Sequence, residues 1–438
     1  MADREPQQPD APDEPLSPRG ITPPGGIAVT FRALRHRNFA LFWSGQLISL
    51  IGTWMQMLAQ SWLVQDLVHR QLGIANASLY LGLVSAAGSV PTLLLTLYAG
   101  VIADRHDKRR ILVITQTWMM LLAFVLAWLS WRGTIQIWQV MILAALLGVG
   151  NAFDMPTRQA FVKDMVGPED LLNAIALNSS MFNSARIIGP AVAGILVALP
   201  RVGVTGAFFL NGISFIAVIA GLLAIRLTPR AGASPPIGNT WQHLREGFRY
   251  VKGNKVILVL LIALAFYSTF GFSYLVLLPA VTTQILHGEA HIYGFLLASG
   301  GVGALVGALT LATLAGRVRT GQVMLFGSTL FSLGLLALSQ SRQLYLTAVL
   351  LALISSGLVV CSASINSIIQ TVVPDHLRGR VVGIWAFVFA GFTPIGALFA
   401  GTVAHLFSIP VAYFLSGLIC LSLLVVITLR VRWVWGLE

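Results

Sequence analysis

Residues 100–110 read Gly-Val-Ile-Ala-Asp-Arg-His-Asp-Lys-Arg-Arg, and this group of charges lies between two long apolar runs. The runs, at residues 78–102 and 111–131, are each long enough to cross a bilayer as a helix, which takes roughly 20 apolar residues. The charged stretch is therefore predicted to be a short polar turn at a membrane face. Its four cations indicate the cytoplasmic face, because cytoplasmic loops carry an excess of Lys and Arg.

The composition of the whole chain excludes an ordinary soluble globule. Of its 438 residues, 56% are apolar and only 10% are charged, whereas soluble domains carry about 25% charged residues. The formal net charge of +12 does not indicate nucleic-acid binding, because the cations lie in predicted loops and no nucleic-acid-binding module is visible. Cys361 and Cys420 lie inside apolar runs, so we expect no disulfide framework, no metal site and no cofactor.

Twelve apolar runs predict an all-α polytopic membrane protein. With the amino terminus inside, 23 of the 28 Lys and Arg residues fall in cytoplasmic segments and four fall outside. If the spans were assigned one helix too many or too few, this excess of cytoplasmic cations would disappear. Arg186 is the one remaining cation and lies within a span. The predicted spans are 39–64, 78–102, 111–131, 135–157, 171–198, 204–226, 256–286, 292–315, 321–339, 344–370, 379–405 and 409–429.

The polar segments divide the chain into two sets of six spans. Residues 1–30 have few large apolar side chains and are predicted to be a disordered cytoplasmic tail. Residues 227–255 form a predicted central cytoplasmic loop that includes a basic amphipathic piece. Six-helix bundles are expected at 31–226 and 256–432, followed by a short tail at 433–438. We expect a multi-pass protein of the inner (plasma) membrane with both termini in the cytoplasm.

The two halves repeat one another in sequence. Residues 82–105 align with residues 294–317 at a constant offset of 212, which pairs Gly82 with Gly294 and Arg105 with Arg317. Chance agreement among small residues in apolar helices is the alternative explanation. The agreement with the span count favours two pseudo-symmetric halves.

The charged turn resembles a motif of a known family. Gly100, Asp104, Arg105 and the following basic cluster resemble the loop between the second and third helices of major facilitator superfamily transporters, although Asp107 and Lys108 depart from the family pattern. The resemblance implies the major facilitator fold over about residues 31–432, with the carboxylate latching the two halves together. A plain cytoplasmic turn rich in cations is the alternative.

Further charges extend this motif into a predicted conformational gate. Asp154 and Arg158 lie four residues apart near the cytoplasmic end of the fourth span, so they can pair on one helix face. They also resemble the family's charges that interact with the loop after the second helix, although a local surface pair is the alternative. The predicted gate consists of Gly100, Asp104, Arg105, Lys108, Arg109, Asp154 and Arg158.

The fifth span resembles that of major facilitator antiporters. Gly189, Pro190 and Gly194 match the family's Gly-Pro motif, in which Pro removes a backbone hydrogen bond and Gly permits close helix approach. Plain helix packing remains the alternative. Within the superfamily, residues 151–166 and 185–194 resemble the bacterial branch that includes enterobactin exporters and macrolide efflux proteins.

Polar residues within spans are candidates for a substrate pathway. The first span carries five of them at spacings of 3, 4, 3 and 4, which places them on one helix face, although polar packing between helices is the alternative. Arg186 lies about 22 Å into the fifth span and could meet an anionic substrate group or hydrogen-bond nearby carbonyls and amides. The candidate pathway residues are Gln46, Ser49, Thr53, Gln56, Gln60, Asn183, Arg186, Tyr267 and Tyr274.

These features predict a secondary transporter that exports an amphipathic small organic molecule, drug-like or siderophore-like, by alternating access. A transport-inactive receptor or a membrane-embedded enzyme on the same fold is the alternative, although no catalytic motif or Walker loop is present. The expected partners are the bilayer and a small-molecule substrate, without nucleic acid, for a monomeric protein. Proton coupling stays open, and Asp154 is its best candidate because no acid lies mid-span.

Overall fold

Long helices form the first half of the chain in the computed structural model, which describes residues 31–73, 76–226, 240–314 and 316–430. Short 3-10 turns precede the first helix at Arg32–Arg35 and the fifth at Pro168–Asp170. The predicted tail at 1–30 lies outside the described residues. The helices are α1 (Arg37–Leu72), α2 (Ala77–Arg105), α3 (Lys108–Trp131), α4 (Ile137–Met165), α5 (Leu171–Ala198) and α6 (Gly203–Ala224).

The second half begins with an amphipathic helix and contains two interrupted spans. The seventh span breaks at Phe272 and ends in a π-helical turn at Val281–Ile285, and the eleventh breaks at Phe392. By contrast, the fifth helix continues through Pro190 without a break. The helices are α7 (Thr240–Gly253), α8 (Lys255–Gly271), α9 (Ser273–Ala280), α10 (Ala290–Leu314), α11 (Thr320–Leu338), α12 (Leu344–Val372), α13 (Asp375–Gly391), α14 (Thr393–Leu406) and α15 (Ile409–Arg430).

The described residues contain 12 helical segments that are long and apolar enough to cross a membrane, which confirms the predicted all-α polytopic fold. Loops between them are short and turn sharply. Gly133, between α3 and α4, has a φ of 64°, a left-handed conformation that glycine adopts without strain. We call the end of the bundle where α1 begins the tail end and the opposite end the far end.

The two halves meet along two helix pairs, α5 with α10 and α2 with α14. In the first pair, a Cβ added to Gly294 would lie 2.8 Å from the Cα of Gly194 and 2.5 Å from the carbonyl oxygen of Pro190. In the second pair, a Cβ on Gly82 would lie 3.1 Å from the Cα of Gly401. Both crossings lie within about two turns of the far end, and only glycine permits this separation.

The two crossings correspond to one another in the sequence repeat. Gly82 and Gly294 are the residues that the 212-residue offset pairs, and each contacts a glycine of the other half, Gly401 and Gly194 respectively. The far end is also joined by Gln65, whose side-chain amide donates a 2.9 Å hydrogen bond to the Thr283 hydroxyl. The repeat predicted from sequence therefore supplies the two contacts that close the far end.

Away from the far end, the halves separate. On the face of α5 that meets α10, Gly194 and Pro190 are buried, whereas Ser180 and Ala176, further toward the tail end on the same face, are exposed. The facing helix α10 changes in the same way, from buried Gly294 to exposed residues beyond its middle. A cleft between the halves therefore opens at the tail end and closes at the far end.

Gly294→Ala tests the glycine crossing. The added methyl group would meet the backbone of Pro190 and Gly194, so the far-end-closed state should lose about 1–3 kcal/mol relative to states with the far end apart. Nitroxides attached to cysteines replacing the exposed Arg201 and Arg342 report the separation of the far-end loops. Their distance distribution should become longer and broader.

The control is Gly383→Ala, because a Cβ at Gly383 meets no atom within 4 Å. Cys361 and Cys420 are buried, so the labels should react mainly at the introduced cysteines. If Gly294→Ala leaves the distances as they are in the control, the crossing does not hold the far end closed.

Candidate functional site

A pocket lies at the closed end of the cleft, where the two halves meet. Arg186 and Pro190 of α5 and Trp54 of α1 form its wall in the first half. Its other wall comes from α9, α10 and α12, so the pocket exists only when both halves are in contact. The residues of that wall are Tyr274, Leu275, Leu278, Leu296, Leu297, Gly300 and Leu351.

Arg186 is the cation of this pocket. Its guanidinium carbon lies 5.9 Å from the centre of the Trp54 ring, a cation–π distance. Among the described side chains, no acid lies within ion-pair distance of Arg186, and the Asn183 amide donates instead to the Ser179 carbonyl oxygen at 2.9 Å. A partly buried cation without an acid partner is able to bind an anionic group.

Trp54 is held in place by the fifth-helix motif. A Cβ on Gly189 would lie 2.5 Å from the Trp54 Cβ and 2.8 Å from the Ile51 carbonyl oxygen, so α1 and α5 approach closely at this level. The next glycine of the motif, Gly194, makes the crossing with the second half. The motif therefore takes part in helix packing, the alternative left open by sequence, and Arg186 lies one turn before the first of its two contacts.

The two candidate tyrosines differ in position. Tyr274 lies in the pocket, and its hydroxyl is 2.9 Å from the Ser355 hydroxyl. Tyr267 is buried within the second half, where its ring packs edge-on against Phe331 at 5.9 Å. Only Tyr274 therefore has a place beside Arg186 in this conformation.

The polar face of α1 turns into the first half. Gln46, Ser49 and Gln56 are each at most 3% exposed. The Gln56 side-chain oxygen accepts a 2.6 Å hydrogen bond from the Asn211 amide of α6, whereas Ser49 donates to Gln116 of α3 at 3.5 Å. This is the polar packing between helices that sequence left open, and a role for these residues in the pathway stays a prediction.

The two remaining α1 candidates are less buried. Thr53 donates a 2.9 Å hydrogen bond to the Ser49 carbonyl oxygen of its own helix, and Gln60 is partly exposed. Thr53 therefore lies on the polar face between Ser49 and Gln56 but makes its described hydrogen bond within α1.

Asp154 is buried in the same polar network. Only 2% of it is exposed, and its carboxylate accepts hydrogen bonds from Gln116 at 2.7 Å and Thr115 at 3.1 Å. Arg158 pairs with it across one helix turn at 3.5 Å. The predicted pair is thus present, but it is a buried pair rather than a surface one. Gln116 and Thr115 were missed by sequence analysis, since polar residues within the third span were not considered.

The charged turn of residues 100–110 binds other partners. Lys108 pairs with Asp164 at the tail end of α4 at 2.7 Å. Arg109 donates to the carbonyl oxygens of Leu222 and Leu223 at 2.6 and 2.5 Å, at the end of α6. These contacts tie α3 to α4 and α6 within the first half, and they do not bring Lys108 or Arg109 to Asp154.

The remaining residues of the turn make only local contacts or have side chains that the structure does not describe. Asp107, one of the residues that departs from the family pattern, caps α3 by accepting a 3.1 Å hydrogen bond from the Arg110 backbone amide. Arg105 is exposed, and Gly100 has open space around it. The side chain of Asp104 lies outside the described part of the structure, so a latch formed by it stays a prediction.

A further ionic contact ties the start of the chain to α5. The Asp170 carboxylate pairs with Arg32 and lies 2.8 Å from the His36 ring, and the Ala33 amide donates to Asn173 at 2.9 Å. The His36 hydrogen bond, followed by the charge of Arg32, lowers the pKa of Asp170 from its usual value of 3.8. The sequence gives no sign of this contact, because partners more than 130 residues apart leave no local pattern.

Comparisons with known proteins agree with this architecture. A family model described as "Transmembrane secretion effector" matches residues 28–435. The staphyloferrin A transporter of Staphylococcus aureus is 28% identical and aligns over 87% of this chain and 94% of its own length. Macrolide efflux protein A of Streptococcus pyogenes is 23% identical over 88% of this chain and 94% of its own. Both relatives are transporters.

A solved structure shares the fold. It is an inward-facing, unoccupied form of a bacterial homolog of the human lysosomal transporter Spinster, which aligns over 94% of this chain and 97% of its own with a TM-score of 0.69 and 12% sequence identity. Together with the family match, this likeness confirms the predicted fold class.

Asp170→Asn should release the segment at residues 32–36. The tie is fully present above the ordinary carboxyl pKa of 3.8 and is lost as pH falls through the lowered pKa. A nitroxide on a cysteine replacing the exposed Arg35 should be immobile in the parent chain at pH 5–7 and become mobile in strong acid. In the variant it should be mobile throughout.

Glu169→Gln is the matched control, since the Glu169 side chain is 88% exposed and lies 3.7 Å from Arg32. The label should behave in this control as in the parent chain. Equal mobility in Asp170→Asn and Glu169→Gln at neutral pH would show that Asp170 does not hold the segment.

Proposed function

The chain belongs to the transmembrane secretion effector family of the major facilitator superfamily, and we propose that it exports an amphipathic organic anion by alternating access. As a member it is a multi-pass plasma-membrane transporter rather than an enzyme. Relatives named for siderophore transport and macrolide efflux support a bulky organic substrate. The macrolide efflux protein also supports export as the direction.

One observation carries the substrate class. Arg186 has no acid partner among the described side chains and lies in a pocket lined on its other sides by Trp54, Tyr274 and aliphatic residues. In this conformation the pocket has a volume of about 10 Å³, room for about one water molecule, so it would take the negative group of a ligand while the apolar body lies in the cleft beside it. Charge-assisted hydrogen bonds from a guanidinium fork supply the specificity for the negative group.

The closure of one end supports alternating access. The glycine crossings and the Gln65–Thr283 hydrogen bond join the halves at the far end, while the cleft opens at the tail end. With the tail end predicted to be cytoplasmic, this is an inward-open state that admits substrate from inside the cell. Release outside then requires the far-end contacts to separate and the cleft to close behind the substrate.

Asp154 is the proposed site of proton coupling. It is the one acid among the described side chains that is buried, and its network reaches α1 through Gln116 and Ser49. Thr53 bonds to Ser49, and the next residue, Trp54, carries the Arg186 contact. Protonation of Asp154 would loosen its pair with Arg158, and this chain of contacts offers a route by which the change reaches the pocket.

Arg186→Gln tests the substrate class. Purified protein in proteoliposomes is given aromatic carboxylates and their neutral methyl esters, and binding and flux are measured for each pair. The parent chain should prefer carboxylates by about tenfold to 100-fold, the strength of a hydrogen bond to a charged group, and the variant should lose this preference. Arg186→Lys keeps the charge but not the planar fork, so it should bind carboxylates less tightly than the parent chain.

Arg132→Gln is the matched control, because Arg132 also lies 5.9 Å from a Trp ring, that of Trp128, but at the surface. It should retain the preference for carboxylates. If Arg186→Gln retains it too, Arg186 is not the group that selects the carboxylate; a parent chain with no preference for carboxylates over their esters would exclude the anionic substrate. If the parent chain binds carboxylates but moves none of them, the transport-inactive receptor is favoured.

Asp154→Asn tests the coupling site. The pH dependence of transport should flatten in this variant, because the amide cannot exchange a proton, while the preference for carboxylates at a fixed pH is retained. Asp164→Asn is the control, since Asp164 pairs with Lys108 in a more exposed position. If imposed pH gradients drive Asp154→Asn and the parent chain equally, Asp154 is not the coupling site.

A further inference from the structure

The amphipathic helix α7 has one face packed against the second half. Gly247 and Val251 are buried on this face. A Cβ added to Gly247 would lie 3.1 Å from the Ile384 side chain and 3.3 Å from the Arg380 Cβ. Because Arg380 and Ile384 lie one turn apart on α13, α7 rests against the side of that helix and not across its end.

The opposite face of α7 is basic. Arg245, Arg249 and Lys252 are exposed there, together with Phe248, whose side chain is 51% exposed. At 3.6 residues per turn these four positions fall within an arc of about 100°. The described acid of the helix, Glu246, does not offset them, because it lies off this arc and pairs with Arg380.

The position of α7 sets its depth in the membrane. It ends at Gly253, and after Asn254, whose side chain caps the next helix, the seventh span begins at Lys255. The first turns of α13, which α7 contacts, begin the eleventh span. The helix therefore lies at the level where two spans enter the bilayer, which is the level of the lipid headgroups.

We propose that α7 docks its basic face on anionic phospholipid. The cations would bind headgroup phosphates, and Phe248 would insert among the first carbons of the acyl chains, as aromatic residues of interfacial helices do. A groove between α7 and α13 lies beside this face; Glu246 and Arg380, which pair with each other, line it together with Arg249, Tyr250 and Asn254, so Arg249 is, among the described side chains of the groove, the unpaired cation that would meet a headgroup there. Anionic lipid would in this way fix the start of the seventh span against the eleventh.

Spin labelling tests the docking without any transport substrate, so its outcome is independent of the proposed export. A nitroxide is attached to a cysteine replacing Phe248 in the full chain, reconstituted in phosphatidylcholine with or without phosphatidylglycerol. Collisions with oxygen, which is concentrated in lipid, and with a water-soluble nickel chelate report the depth of the label. In anionic bilayers the label should be accessible to oxygen and protected from nickel.

A variant with Arg245→Gln, Arg249→Gln and Lys252→Gln should lose this protection. It should also retain about tenfold less phosphatidylglycerol through purification, since each cation near an anionic surface adds to its attraction. The matched control is Arg317→Gln, Arg319→Gln and Arg430→Gln, which removes the same charge from exposed positions elsewhere. It should behave as the parent chain does.

Three results would overturn the proposal. The first is a label that nickel reaches equally with and without phosphatidylglycerol, which would mean that the face looks into water. The second is equal lipid retention by the two triple variants, which would mean that net charge alone attracts the lipid. The third is protection that persists in 1 M salt and in the variant with the α7 cations removed, which would indicate protein contact, since screening by salt weakens exposed charge interactions.

Discussion

Two glycine crossings, Gly194 with Gly294 and Gly82 with Gly401, determine how the halves of this transporter are arranged. Without side chains at these positions, the backbones of α5 and α10, and of α2 and α14, come close enough for dispersion contacts between main chains. Because both crossings lie near the far end, the same contacts that join the halves also leave the cleft open at the tail end. The positions of these four glycines therefore favour the conformation that is closed at the far end and open at the tail end.

The helix that carries one crossing also carries Arg186, the cation of the pocket. Gly194 fixes α5 against the second half, Gly189 fixes it against α1, and Arg186 lies one turn before Gly189. A change in the α5–α10 contact therefore shifts the guanidinium relative to Tyr274 and the rest of the opposite wall. The proposed substrate site and the relative position of the halves therefore depend on the same helix.

Sequence predicted the fold more fully than the site. Long apolar runs and the distribution of cations predicted the twelve spans, and the 212-residue repeat paired Gly82 with Gly294, which the structure places in equivalent crossings. The spacing of the polar residues in α1 predicted that they share one helix face. Spacing does not show which neighbouring helix that face packs against, and in the structure Gln56 hydrogen-bonds to Asn211 inside the first half. The predicted gate stays a prediction. Sequence did not predict that Arg109 donates to carbonyl oxygens of α6 and that Lys108 pairs with Asp164, because these contacts depend on how the helix ends pack together.

Asp154 and Arg186, two charged groups within helices of the first half, differ in how they are satisfied, and this difference is consistent with the separate roles proposed for them. Asp154 has two hydrogen-bond donors and an arginine, so its charge is balanced inside one half and is independent of any ligand. Arg186 has a cation–π contact worth about 0.5–2 kcal/mol, far less than the cost of a charge held deep in a membrane. The remaining cost is reduced by the open cleft and would be offset by an anion in the pocket. The proposed anionic substrate would thus satisfy a charge that has no acid partner among the described side chains.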